Sequence, residues 1–194
     1  TATLVDSSAT DNDVNDVSLT TTSGDIAVVS IDAGSANDVT LTAAGAIAED
    51  GNSSTVVSAD ELVAAAGGPI TLDTTIATAD LATTVAGAID LDESDAITLS
   101  SVTTSDGSIT VDAGGSITAT LVDSSATDND VNDISLTTIL GDIAVVSIMA
   151  GGSGDVTLTS AGAITEDGDA ATVVTGDQLT ATAVGLISLD TAVS

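Results

Sequence analysis

Residues 1–16, Thr-Ala-Thr-Leu-Val-Asp-Ser-Ser-Ala-Thr-Asp-Asn-Asp-Val-Asn-Asp, recur unchanged as residues 118–133, an offset of 117 positions. The likeness continues to the end of the chain, so that 1–77 align with 118–194 at 54 identities and 23 differences. A chain that repeats itself must bury its apolar surface in a way that can also repeat, which favours stacked units over one closed core. The reading is one continuous array, with a first long unit at 1–117 and a second, incomplete unit at 118–194. The array begins with Thr and stops in the middle of a unit, which suggests a processed product or a window from a longer protein.

A finer period lies inside the long one. Gly24-Asp-Ile-Ala-Val28, Asn37-Asp-Val-Thr-Leu41, Gly68-Pro-Ile-Thr-Leu72, Gly87-Ala-Ile-Asp-Leu91, Gly107-Ser-Ile-Thr-Val111 and Gly141-Asp-Ile-Ala-Val145 share one form. A turn residue precedes an apolar residue, and apolar residues then alternate with polar ones. That alternation marks a short strand with one face buried. The strands come in pairs led by Val17/Ile26, Val39/Ile47, Leu62/Ile70, Ile89/Ile97, Ile109/Ile117, Ile134/Ile143, Val156/Ile164 and Leu179/Ile187. Five pairs fill the 117-residue unit, which gives coils of about 23 residues. The step from Leu62 to Ile89 fits this period least well.

These spacings predict an all-β chain, a parallel β-helix or β-solenoid, with Ile, Val and Leu inside, Thr and Ser outside, and Gly, Asn and Asp at the corners. The alternative is a tandem array of Ig-like β-sandwiches, for which the long repeat is a reasonable unit. Against it, the chain has no Phe, Trp or Tyr to centre a sandwich core.

Charge and inventory restrict function. The chain has 30 acidic residues, no Lys, Arg, His or Cys, and a formal charge of −30. Only Glu49, Glu61, Glu93 and Glu166 are glutamates; the rest are aspartates, which suit turns better than helices. With no cation, the protein repels nucleic acid and anionic membrane. No apolar run is long enough for a membrane-spanning helix. Nucleophile triads built on His or Cys are impossible, as is a phosphate loop that needs Lys. The expectation is a protein that is not an enzyme, whose partners are cations, neutral glycans or other copies of itself.

The sharpest site pattern is Asp11-Asn-Asp13-Val-Asn15, repeated as Asp128-Asn-Asp130-Val-Asn132. Oxygen ligands at alternate positions match the first half of an EF-hand loop, which makes Ca²⁺ the expected ion. The match stops there: Asp16 replaces the loop glycine and Thr22 the terminal glutamate. Further acidic clusters are Glu49-Asp50, Asp90 to Asp95 and Glu166-Asp167. Asn52-Ser-Ser54 is a glycosylation sequon that the second copy replaces with Asp169-Ala-Ala171. Thr22, Ser23 and Asp32 become Ile139, Leu140 and Met149 in the second copy, a change that would suit either a lateral contact face or simple drift.

Segments such as Gly24-Asp-Ile-Ala-Val-Val-Ser-Ile31, Asp38 to Ile47 and Asp106 to Ile117 resemble the repeats of filamentous-haemagglutinin-like exoproteins and related giant bacterial surface proteins. The resemblance covers most of the chain. It implies a right-handed β-helix, an extracellular or cell-surface location, and a role in adhesion or matrix. The expected function is a structural repeat of an extracellular fibre or surface filament. The alternatives are an adhesin or glycan-binding module and a calcium-dependent matrix or surface-layer protein.

Overall fold

A computed structural model of the chain describes residues 1–9, 14–49, 51, 56–168 and 173–193. Among them there are strands and turns but no helix, and the strands form one parallel sheet wound into stacked coils. The protein is a β-solenoid. The turn-then-alternation segments each become a strand: Val39–Ala43, Ile89–Glu93, Ile109–Ala113, Ile134–Thr138 and Val156–Ser160 bury their first, third and fifth side chains. Two short strands follow such a strand before the next coil begins, as Ile143–Val145 and Ile148–Met149 follow Ile134–Thr138.

Coils stack in register. One ladder runs without a break through Ile26, Ile47, Ile70, Ile89, Ile109, Ile134, Val156 and Leu179, one rung to each coil. A coil holds too little apolar surface to stand alone. The ladder solves this by giving each Ile a neighbour of like shape above and below, at the ~4.8 Å spacing of paired strands. The core is a single cluster of Ile, Val, Leu and Ala along the whole rod, and no described buried side-chain N or O lacks a hydrogen-bond partner.

The long repeat is not a whole number of turns. Val17 starts the ladder Val17–Val39–Leu62–Ala79–Leu99–Ala119–Val145, whereas its copy, Ile134, stands in the Ile26 ladder. Spacing in the sequence assigned five coils of similar length to the unit. The structure varies the coil: the step from Leu62 to Ala79 is short, and the step from Ile117 to Ile143 is long. The poorly fitting stretch before Ile89 is resolved by the long strand Ile70–Thr83. It has no Gly or Asn to turn at, so it stays extended across several faces and inserts a rung at Ala79 and Leu81.

The corners repeat as well. Thr21, Thr83, Thr104 and Thr138 end their strands and donate a hydroxyl hydrogen bond to the carbonyl of Gly24, Gly87, Gly107 and Gly141, at 3.0, 3.1, 2.6 and 3.1 Å. Thr138→Val keeps the shape and deletes the donor. It should cost about 1 kcal/mol, read as a lower denaturant midpoint with unchanged slope. An unchanged midpoint would show the corner bonds to be worth nothing net.

Candidate functional site

Among the sequence-predicted ligands, Asp11 and Asp13 lie outside the described residues. The second copy is described in full. Asn132 is completely buried: its Oδ1 accepts from the Gly107 N–H at 2.8 Å, and its Nδ2 donates to the Thr127 hydroxyl at 3.1 Å and to the Thr127 carbonyl. Asp128 points the other way, and its Oδ1 accepts from the Gly152 and Ser153 N–H groups, each at 2.9 Å. Asp130 is exposed to solvent. The Asn132 and Asp128 oxygens thus reach to opposite neighbouring coils, so this trio is not gathered round one point as an ion requires. Asn15, the counterpart of Asn132, gives its backbone N–H to the buried Asn37 Oδ1 at 3.0 Å. In the second copy the segment from Asp128 to Asn132 forms a corner that ties three coils together.

Among the described residues a column of like charge forms elsewhere. Asp73, Asp92 and Asp112 occupy one rung position on three successive coils, in direct register. Asp90 precedes Asp92 on the same outward face, and Glu49 comes from the coil on the other side of Asp73. The alternation of Ile89-Asp-Leu91-Asp-Glu93 points the two aspartates outward and Glu93 inward. Partial burial, then the Glu49 and Asp90 charges, raise the Asp73 carboxyl above its ordinary value of 3.8. Partial burial, then Asp73, Asp90, Asp112 and Glu49, do the same to Asp92.

Beside this column lies a cleft of about 230 Å³ lined by Val56, Asp73, Thr74, Asp92, Glu93 and Ser94. Glu93, only 4% exposed, forms its floor. Its Oε2 accepts from the Thr74 hydroxyl at 2.7 Å and the Ile76 N–H at 3.1 Å, and its Oε1 accepts from the Asp95 N–H at 3.1 Å. Burial raises its pKa, opposed in part by those donors. Sequence reading grouped Asp90 to Asp95 as one acidic cluster and missed that Glu93 differs from its neighbours. The signal was present: Glu93 falls in phase with Ile89 and Leu91.

A larger cleft, about 380 Å³, lies on the first coil between the segment from Thr1 to Val5 and the side formed by Leu19, Thr20, Thr21, Asp25 and Ile26. Asp25 is the one carboxylate among its described lining residues.

Among the described residues no three acidic side chains are grouped closely enough to hold a metal ion. The Asp73–Asp92–Asp112 column is a stripe of like charge, whose repulsion is relieved by cations in the surrounding solvent. No protein-family model matches the chain, and neither do curated proteins or solved structures.

Proposed function

We propose that the chain is a non-catalytic structural module, a stiff rod within an extracellular fibre or cell-surface filament of the kind its repeats resemble. The observation that carries this reading is the unbroken ladder from Ile26 to Leu179, with one continuous apolar core and no hinge between the two sequence copies. Such a rod resists bending because every coil is hydrogen-bonded to the next along its length. Electron microscopy of the purified protein tests it. Thin unbranched rods of uniform width are expected, and compact particles with flexible joints would defeat it.

A second reading is a cation-dependent matrix or surface-layer protein, favoured by the Asp73–Asp92–Asp112 column. With 30 acids and no Lys or Arg, only solvent cations relieve repulsion between coils. The thermal midpoint should rise by several degrees between 10 and 150 mM NaCl, on the order of 1–2 kcal/mol for a chain of this size, and by more at millimolar Ca²⁺. A midpoint unmoved by salt and by chelator would remove this reading. The adhesin reading rests on the outward Ser and Thr, and saturable binding to a glycan array would favour it.

A further inference from the structure

The second copy differs from the first at 23 aligned positions, and four of those differences meet at one corner of the rod. Thr22, Ser23, Gly67 and Pro69 are replaced by Ile139, Leu140, Val184 and Leu186. In each case a polar or compact residue gives way to a large apolar one. Ile139 and Leu140 are each 69% exposed on an interior coil, and Val184 and Leu186, 85 and 66% exposed on the last coil, stand level with the same turn.

Backbone hydrogen bonds show that these turns lie on top of one another. The Ile139 and Leu140 N–H groups donate to the Ala113 and Gly114 carbonyls. The Gly162 N–H donates to the Gly141 carbonyl, and the Gly185 N–H to the Gly162 carbonyl. The column therefore reads, coil by coil, Gly114-Gly115, Ile139-Leu140, Ala161-Gly162, Val184-Gly-Leu186. Flat coils alternate with coils that project.

That alternation is self-complementary. Turn a second rod antiparallel, with a two-fold axis between the Ile139 and Ala161 coils. Its projecting Ile139-Leu140 then meets the flat Ala161-Gly162, and its Val184-Leu186 meets the flat Gly114-Gly115. The contact closes on itself, as two-fold contacts do. Charge also selects a second copy. A basic partner would take the acidic faces and gain nothing from this corner, whereas two rods of −30 can approach only where carboxylates are few. Within these turns Asp142 is the single acid, and its Oδ1 is held by the Ala163 N–H at 2.7 Å.

We propose that this corner is a lateral docking ridge for a second copy of the chain, pairing rods side by side in antiparallel fashion. The proposal does not rest on the fibre reading, because rods that pair laterally need not join end to end. The four side chains present an apolar area on the order of 500 Å² on each rod, near the upper end for a single surface patch. Two such patches bury about 1,000 Å², the lower limit for a specific interface, so the pair forms with modest affinity. Salt should strengthen it, because screening removes repulsion between like-charged rods.

Sedimentation velocity of the whole chain in 20 and 500 mM NaCl tests this. A concentration-dependent dimer, favoured at 500 mM, is expected. The variant Ile139→Thr, Leu140→Ser, Val184→Gly, Leu186→Pro carries the residues that the first copy already uses at these turns. Its circular dichroism should match the parent, and its dimer dissociation constant should rise at least tenfold. A parent that stays monomeric at millimolar protein, or a folded variant that pairs as well as the parent, would overturn the proposal.

Discussion

Gly107→Ala should be among the most damaging single substitutions in this protein, costing on the order of 4 kcal/mol or more. A Cβ at Gly107 would lie 2.5 Å from the Gly87 carbonyl oxygen and 2.6 Å from its carbon. Both are backbone atoms of the adjacent coil and cannot swing aside. At Gly87 itself the same atom would sit 2.4 Å from the Pro69 nitrogen. The column Pro69–Gly87–Gly107 is a place where backbone rests directly on backbone, and making room means prising coils apart. Gly24 is the control. It too has a positive φ, +81°, but nothing lies within 4 Å of its Cβ position. Gly24→Ala should cost only about 1–2 kcal/mol, the conformational part alone. Chemical denaturation of the two variants separates crowding from backbone strain. Equal losses would show that the coils are less tightly stacked than this geometry requires.

The second large effect is on pH dependence, and its direction is unusual for carboxylates. Asp73, Asp92 and Glu93 all have folded values raised above those of the free side chains, by burial first and for the aspartates by neighbouring acids next. The folded protein then binds protons more readily than the unfolded chain. A raised carboxyl contributes stability that is fully present below its unfolded value and is lost as pH rises through its folded value. The window therefore opens near pH 4 and extends upward. Asp6 and Asp106 work in the opposite sense. Hydrogen bonds from Ser8, and from Asn129 and Thr127, lower their values, and their contribution is lost only as pH falls below 3.8. Thermal unfolding at low salt should show a higher midpoint at pH 4.5 than at pH 7.5. Asp92→Asn should raise the midpoint at pH 7.5 and shrink the gain on acidification. A midpoint that falls steadily from pH 7.5 to 4.5 would contradict this account of the acidic column.

The inward and outward positions were legible because they depend only on near neighbours. Ile109, Val111 and Ala113 alternate with Thr110 and Asp112, and no distant residue is needed to decide which set is buried. The glycine-led corners were legible for the same reason. The site was harder. Asp128 and Asn132 are two ligand-like residues in one short loop, and the sequence cannot show that one bonds to the coil above and the other to the coil below. The acidic column was hidden too, since Asp73, Asp92 and Asp112 each stand a full coil apart along the chain and meet only through stacking.

Alternating hydrophobicity, turn residues and the long internal repeat were enough to determine the fold class, the strand positions and the composition of the core. All three are local or periodic properties, and a parallel solenoid is their common solution. Only the tertiary structure decided which residue rests on which. Coil length varies, and each variation shifts every later rung. Val17 and Ile134 share their sequence surroundings, yet the short coil between Leu62 and Ala79 helps to put them in different ladders. Register is a sum over the whole chain, and no single segment contains it.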